Sequence, residues 1–436
     1  MSKHILLINP WIIDFKAYDL WMKPLGLLHI SSILRKKGFS ITLLDCLDRN
    51  HPSVVKEKKL DPQMTGKFVD EEIEKPLPYK QIPRKYKRYG IPIEAFKKEL
   101  KKISAPDFIL VTSVMTYWYQ GVHLAISILK EKFPGVPLIL GGIYPTLCPE
   151  FAKKTSGADI IFEGSNIQKL FKIFGQFEES DMESLFPDFS HYTKPDYVTL
   201  LTSKGCPYKC TYCASNKLQP TFRMLKAKKI IEGIKYMKHN YGVSHFAFYD
   251  DALLLNTHIT SLLEEIIRED WRLNFHTPNG LHARFIDRTM AKLLKKSGFA
   301  ELNLSLETTG STIQVLTGNK VTALHIERAI ENLYSAGFSG KQIRIYTIMG
   351  LPGQTFEEVE KTMNYVYTLG IENHLSVYSP VPGTEDFERI KKEYLYNLED
   401  PLYHNGTYHY YRGKWFGFQE RKDLLDRVHR LNSKIR

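Results

Sequence analysis

The sequence predicts an α/β chain: a doubly wound parallel-sheet domain, then a partial (β/α)6 TIM-type barrel, then a short C-terminal segment. Two observations predict it. Short apolar runs alternate with helix-period stretches in both halves of the chain, the pattern of parallel sheets covered on both faces. The second series holds six strand–helix units where eight would close a full barrel. The 436 residues also exceed one ordinary core and fit two or three domains.

In the first series, strand His4–Ile8 precedes a turn at Asn9-Pro10, a helix over Leu25–Lys37 ending at Gly38, and strand Ser40–Leu44. Residues from about 51 to 93 are rich in Lys, Glu and Pro without sustained periodicity, and read as an insertion or surface excursion. Helix Ile93–Ile103, strand Phe108–Thr112, helix Tyr119–Phe133, strand Pro137–Leu140, a helix near Pro149–Thr155 and strand Asp159–Phe162 come next. The expected spans are 1–175 for this domain, 176–195 for a polar linker, 196–386 for the barrel and 387–436 for a basic, aromatic tail. Barrel strands are expected at Val198–Thr202, Ser244–Tyr249, Arg272–His276, Glu301–Leu306, Gln342–Met349 and Asn373–Tyr378. The helices between them fall at Ala227–Tyr241, Thr257–Glu269, Asp287–Lys296, Thr322–Ala336 and Phe356–Leu369.

Hydrophobic content of 43% with 25% charged residues fits a globular chain, and no apolar run approaches the roughly 18–20 residues of a membrane span. The start MSKHILLINP reads as a strand without a signal-peptide cleavage site. Five cysteines, three of them crowded together, do not form a disulfide framework, so a cytoplasmic location is expected. Part of the net charge of +12 lies in Arg84-Lys85-Tyr86-Lys87-Arg88 and in the run from Arg412 to Arg436. Solvated faces are the favoured reading of these patches. Nucleic-acid binding is the alternative, without a helix-turn-helix, zinc-finger or RNP-type motif to support it.

The chemistry concentrates in Ser203-Lys204-Gly205-Cys206-Pro207-Tyr208-Lys209-Cys210-Thr211-Tyr212-Cys213, directly after the first barrel strand. Three thiolates within eight residues can converge on a soft metal centre. Structural zinc normally takes four ligands, and Cys46 and Cys148 are not spaced to supply the fourth. A Cys-x-x-Cys redox pair leaves Cys206 unexplained. A [4Fe–4S] cluster on three cysteines keeps one iron free for a substrate atom and is favoured over zinc or a redox thiol.

This Cys-x3-Cys-x2-Cys spacing, with aromatic Tyr212 before the last cysteine, resembles the signature of the radical SAM superfamily, and the likeness extends from Tyr197 to about Thr384. It implies a partial (β/α)6 barrel whose cluster, on Cys206, Cys210 and Cys213, binds S-adenosylmethionine (SAM) through the free iron. Reduction by one electron then releases a 5′-deoxyadenosyl radical, with a donor such as flavodoxin or ferredoxin. By analogy, the SAM-binding positions are Tyr212, Asp250, Asn279, Ser305, Glu307 and Gly350. Asp250 stands where many members carry a Gly-Gly-Glu motif, which this chain lacks; a helix-capping or turn role competes. Ser305 and Glu307 share one strand face. Gly350, in Met349-Gly350-Leu351-Pro352-Gly353-Gln354, resembles the turn that approaches adenine.

The first domain resembles the Rossmann-like, cobalamin-binding domain of one branch of the superfamily. The likeness rests on strand-end turns at Asn9, Pro10, Ser113, Gly141, Gly142, Tyr144, Thr146, Glu163 and Gly164, and on Pro24-Leu25-Gly26-Leu27. In that branch the strand-end Ser and the Gly-Gly turn accommodate the nucleotide tail of cobalamin. The Asp-x-His-x-x-Gly cobalt-ligating motif is absent, and Trp11-Ile12-Ile13-Asp14-Phe15 occupies the first helix-opening loop. Met115, Tyr117, Trp118 and Tyr119 offer packing for a corrin face or ordinary core. The resemblance implies a cobalamin-dependent radical SAM enzyme, frequently a methyltransferase acting on unactivated carbon. The alternatives are radical SAM chemistry without cobalamin and an RNA-binding protein with a structural cluster. The substrate and any further catalytic residue are not specified.

Overall fold

The computed structural model describes residues 3–59, 61–175, 186–316, 318–393 and 397–435, and they form two compact units. The first comprises Met1–Val198 with Asn397–His404; the second comprises Thr199–Tyr396 with Asn405–Arg436.

The strands of the first unit are β1 (His4–Asn9), β2 (Ile12–Asp14), β3 (Ser40–Asp45), β4 (Asp70–Glu72), β5 (Lys87–Tyr89), β6 (Phe108–Val111), β7 (Leu138–Leu140) and β8 (Ile160–Ile161). Five of them make a parallel sheet in the order β3-β1-β6-β7-β8. Numbering these five strands in chain order gives 2-1-3-4-5, a doubly wound topology that reverses direction between β1 and β6. Ile5 and Leu7 face one apolar layer and Leu6 and Ile8 the other, so β1 is buried on both sides.

The stretch 51–93 is more ordered than its composition predicts. It contributes β4 and β5, which pair antiparallel with each other and, through β5, with β2. Residues 12–14, expected in a helix-opening loop, are therefore a buried strand. The basic run is neutralised across this sheet: Lys85 pairs with Glu72 (2.7 Å), Lys87 with Asp70 (2.6 Å) and Arg88 with Glu71. Sequence periodicity missed these strands because each is only three residues long. The excursion is pinned by a buried ion pair, Arg49–Asp19 at 2.7 Å, and Tyr197 also donates to Asp19 (2.6 Å).

Residues 176–185, the first half of the expected linker, lie outside the described residues. The second half is anchored on the first unit. Asp188 accepts from Ser31 (2.6 Å) and pairs with Arg35 (3.0 Å), while Tyr192 donates to Asp45 (2.7 Å).

In the second unit the strands are β9 (Val198–Leu200), β10 (Ser203–Lys204), β11 (Arg223–Met224), β12 (His245–Phe248), β13 (Asn274–His276), β14 (Leu302–Glu307), β15 (Ile343–Met349) and β16 (Glu372–Val377). Two three-stranded sheets, β9-β12-β13 and β14-β15-β16, are joined by parallel bridges Phe275↔Phe299 and Leu281↔Leu304. The six strands thus run in chain order around a partial barrel. Outside β15 and β16, helices Phe356–Thr368 and Phe418–Ile435 bury Met349, Val359, Met363, Leu424 and Val428 together. The tail's form, which the sequence left open, is divided: Asn397–His404 belongs to the first unit, and helix Phe418–Ile435 is a structural stave of this one. No described helix is long and apolar enough to cross a membrane.

Burial in the first unit makes two histidines pH-sensitive. His404 donates through Nε2 to the Leu398 carbonyl (2.8 Å), and its Nδ1 lies 3.0 Å from the Thr116 hydroxyl, which donates to it when the ring is neutral. Burial pushes His404 and His123 down to about 4. Folded rings then bind fewer protons than unfolded ones, so their stability contribution is complete above the unfolded value and falls as pH drops toward 4. Urea midpoints should decline over that window, and His404→Asn should flatten the decline while lowering stability at pH 7.5.

Candidate active site

The cysteine loop leaves β9 and is held at both ends. The first clamp is Asp250, at the end of β12 and buried. Its carboxylate accepts from the Thr202 N–H (3.0 Å) and hydroxyl (2.8 Å) and from the Ser203 N–H (2.6 Å) and hydroxyl (2.7 Å). Burial pushes Asp250 up to about 6, against the pull of those donors. The residue expected to attract the SAM amine thus works as the bracket that sets where the loop begins. Asn279 has a related use: its amide donates to the Tyr249 carbonyl (3.0 Å), tying the turn after β13 to the end of β12. At Gly280 an added Cβ would lie 2.0 Å from Ser305 Oγ, so glycine is needed for the turn to approach β14.

Within the loop, Gly205 has φ +80° and packs on the Gln219 and Thr221 carbonyls. The Cys213 N–H closes a turn onto the Cys210 carbonyl (3.0 Å). Cys206 and Cys210 are half-buried and Cys213 is exposed. Burial pushes Cys206 up to about 11; an N–H from Tyr208 and the Lys320 charge oppose the rise, and Cys210 and Cys213 add to it. The three thiols therefore share one electrostatic environment. Among the described residues, no three His, Cys, Asp or Glu side chains are gathered around a single-ion site. A four-iron cluster spaces its thiolates more widely than one ion does, and an all-sulfur donor set on one braced loop fits it.

Tyr212 donates to Glu307 Oε1 (3.0 Å), and Lys320 reaches the same oxygen (3.3 Å). Glu307 stands at φ +67°, in the left-handed region, where β14 breaks register with β15. Ser305, expected to share a strand face with Glu307, lies on the other side of that register break and is buried beside Gly280. Tyr212 and Glu307, expected at one site, do come together in space, and they are joined by Lys320, which the sequence did not single out. That lysine is only 14% exposed, and Glu307, Cys210 and Cys213 raise its pKa against the effect of burial. A buried lysine beside a carboxylate and three thiols has no signal in local sequence.

Other braces were also missed. Thr211 donates to Asp386 (3.1 Å), Gly318 packs on Lys209 and Cys210, and Tyr208 stacks on His282 (5.1 Å). His282 is buried, neither ring nitrogen has a hydrogen-bond partner, and burial pushes it down to about 3. Gly350, at φ +88°, does approach a planar ring, but the ring is the chain's own. The Trp415 indole sits 3.6 Å from where a Cβ would stand. Gln354 holds the turn by accepting from the Gly350 N–H (2.8 Å), and Arg421 holds the Trp415 carbonyl (2.6 Å).

The bracketed loop, directly after the first strand of a six-stranded partial barrel, can be set beside known proteins. Residues 200–366 match the radical SAM superfamily. The chain carries a radical SAM domain. Such a domain works with a [4Fe–4S] cluster and SAM. An uncharacterized methyltransferase of Pyrococcus horikoshii is 22% identical, with 67% of this chain aligned to 70% of the relative. The cytidylyl-2-hydroxyethylphosphonate methyltransferase of Streptomyces wedmorensis is 19% identical over 92% of this chain and 84% of its own. The anaerobic magnesium-protoporphyrin IX monomethyl ester cyclase of Rubrivivax gelatinosus is 21% identical over 74% of this chain and 64% of its own. Among solved structures, the methyltransferase TsrM of Kitasatospora setae, with cobalamin and a [4Fe–4S] cluster bound, superposes with TM-score 0.66 at 15% identity, covering 90% of this chain and 78% of that one. The cobalamin-dependent radical enzyme OxsB gives 0.58 at 14%, covering 99% and 62%. At these identities the likeness is one of fold.

In the first unit, Ser113, Gly141, Gly142, Thr146 and Gly164 form one hydrogen-bonded group. Ser113 donates to the Gly141 carbonyl (3.0 Å), Thr146 to the Gly142 carbonyl (2.7 Å), and the Gly164 N–H to Thr146 (2.9 Å). Gly142, at φ +99°, is required, since a Cβ would lie 2.3 Å from the Ser113 carbonyl. Gly164 opens onto free space, and Val114 and Met115 lie exposed next to Ser113. Pro10 comes directly after β1. Three other expected positions have different uses. Asn9 donates to Asp45 (2.6 Å) between strands, the Tyr144 ring is buried against His123, and Glu163 pairs with Lys153 on the surface (3.1 Å). Of the expected aromatic cluster, Tyr119 is core, packed on Tyr144 and Phe151, and Trp118 donates to Asp14 (2.9 Å).

Asp250→Ala should leave four close donors unmet and destabilise the second unit by about 2–4 kcal/mol in urea unfolding. Asp250→Asn, which keeps one acceptor oxygen, should lose less.

Proposed function

We propose that Cys206, Cys210 and Cys213 hold a [4Fe–4S] cluster, that SAM binds at its free iron beside Tyr212, Ser305, Glu307 and Lys320, and that the first unit binds cobalamin. On this reading the protein is a cobalamin-dependent radical SAM methyltransferase acting on an unactivated carbon. The observation that carries it is the cysteine loop, braced from β12, β14 and the segments around Gly318 and Asp386 so that three thiols share one environment. When bound, the cluster supplies the electron that cleaves SAM to the 5′-deoxyadenosyl radical, taken from a donor such as flavodoxin or ferredoxin.

The chain's own residues set the stage for that chemistry. Glu307 orients Tyr212 and keeps Lys320 charged, and Lys320 offers a cation to the SAM carboxylate. Trp415 over Gly350 supplies an aromatic wall beside the turn. For cobalamin, the fit rests on the 2-1-3-4-5 sheet, whose strand ends carry the Ser113, Gly141 and Thr146 group, open space at Gly164 and the apolar Val114 and Met115. The named methyltransferase relatives support methyl transfer. The cyclase relative supports a ring-forming outcome as the second reading.

Anaerobic reconstitution should yield iron and sulfide and SAM cleavage to 5′-deoxyadenosine. Cys206→Ala, Cys210→Ala and Cys213→Ala should each abolish both, and retained cleavage in all three would refute the assignment. Protein incubated with hydroxocobalamin should carry corrin absorption through gel filtration; none would remove cobalamin from the reading. Lys320→Met should raise the KM for SAM about tenfold or more, from loss of a charged contact, with Lys320→Arg recovering part of it.

A further inference from the structure

We propose that the exposed basic face around the cysteine loop docks an acidic one-electron carrier protein, whose electron enters at the Cys213 edge. The inference rests on the reading of the three cysteines as cluster ligands and adds where, and to what kind of partner, that site opens. Residues 199–243 hold nine Lys and Arg against one acid, Glu232. Lys209, Lys217, Arg223, Lys226 and Lys228 are exposed, and among the described residues no acid pairs with any of them. The other basic runs are compensated in part. Lys85 to Arg88 is neutralised by Asp70, Glu71 and Glu72. In the C-terminal run, Arg421 is buried on backbone carbonyls, while Lys422 and Arg427 pair with Asp426 and Glu360. Asp251, beside Ser215, and Asp386, which accepts from Thr211 and pairs with Arg389, also pack on the loop, and neither pairs with any of those five cations.

The placement comes from the backbone. Lys209 lies between Cys206 and Cys210. Lys217 is on the short helix Ser215–Leu218, whose first N–H reaches Cys213 Sγ (3.5 Å). Arg223 sits across the β10–β11 ladder from Lys204, a like-charge pair that disfavours the isolated sheet. Lys226 caps helix Ala227–Tyr241 and Lys228 is in its first turn, with no acid there, so both oppose the helix dipole. An anionic partner relieves each of these repulsions, and charge complementarity of this kind accelerates encounter. Cys213 is the exposed thiol of the three and lies on this face.

A single-stranded nucleic acid would also meet the charge, but it needs aromatic faces to stack on. Tyr208, in the loop, has His282 stacked on its ring and Arg284 above it at 5.9 Å, and the exposed Tyr236 stands apart from the loop toward the far end of helix Ala227–Tyr241. In the proposed step one electron leaves the reduced carrier and enters the oxidised cluster, with no bond made or broken and no proton moved.

The test uses the reconstituted full chain and its Lys217→Glu/Arg223→Glu/Lys226→Glu variant, with Lys→Gln and Arg→Gln counterparts as a milder set. 5′-Deoxyadenosine formation is measured with reduced flavodoxin and, separately, with reduced methyl viologen, a small cation. The wild type should lose flavodoxin-driven rate as NaCl rises from about 50 to about 300 mM, a range chosen to shorten the Debye length below roughly 10 Å. The Glu variant should lose more than about tenfold of that rate and most of its salt dependence, the Gln set should fall between, and the viologen rate should hold or rise. An unchanged flavodoxin rate, or equal loss with both reductants, overturns the proposal. So does salt-sensitive binding of an RNA oligonucleotide that the Glu variant abolishes while its flavodoxin rate stays at the wild-type level. A wild type that forms no 5′-deoxyadenosine with viologen refutes the cluster reading instead, and flavodoxin binding by wild type and variant then still decides the docking face.

Discussion

Asp250 sits at the point on which the second unit's geometry depends. It lies two residues beyond β12, yet its four close donors all belong to Thr202 and Ser203, the residues that lead into the cysteine loop. A buried carboxylate costs desolvation energy, and here that cost is offset by hydrogen bonds that fix two backbone N–H groups in place. Because Asn279 in turn donates to the Tyr249 carbonyl, the ends of β9, β12 and β13 form one hydrogen-bonded rim. Every later contact of the loop, from Tyr212 to Glu307 or from Thr211 to Asp386, presupposes that rim.

The rim explains why a loop of small and polar residues can present three thiols in a defined arrangement. Loops gain precision when their side chains are held by neighbours on rigid elements, and this one is held from several strand ends. The same logic extends to charge. Lys320 and Glu307 form a largely buried pair, a costly arrangement unless both groups find partners. Glu307 gains Tyr212 as a second donor, and Lys320 lies in the field of two thiols. In the proposed reading, bound thiolates and a SAM carboxylate would complete the set of partners that the pair lacks.

How much of this was legible in the sequence depended on the range of the interaction. The six barrel strands were readable because each is an apolar run bounded by turns, and the Cys-x3-Cys-x2-Cys spacing because its residues are neighbours in the chain. The strands at Asp70 and Lys87 were not, since three residues carry no period and the second of them pairs with Ile12–Asp14, more than 50 positions away. Lys320 was invisible for the same reason, and Trp415 was visible only as one aromatic residue of the tail: the importance of each is created by tertiary placement. Asp250 was seen but assigned to a ligand, because sequence shows a carboxylate and not the donors that surround it. Gly350 shows the subtler case. The inference from glycine to a closely approaching ring was sound, and only the identity of the ring, Trp415, required coordinates.

The basic face gives that contrast its functional edge. Charge composition singled out Arg84 to Arg88 and the run from Arg412 to Arg436 as candidate patches, and not the stretch from Lys204 to Lys228. Cross-strand pairing neutralises Lys85 to Arg88, whereas Lys204 to Lys228 sets like charges opposite one another and at a helix N-terminus, positions that local stability disfavours. The folded chain keeps this unrelieved repulsion beside an exposed thiol. A cluster site must receive electrons from outside, and the braces that fix the loop also determine which edge of it faces solvent. The rim set by Asp250 therefore fixes where the loop begins and, with it, the exposed thiol and the charged face that surrounds it.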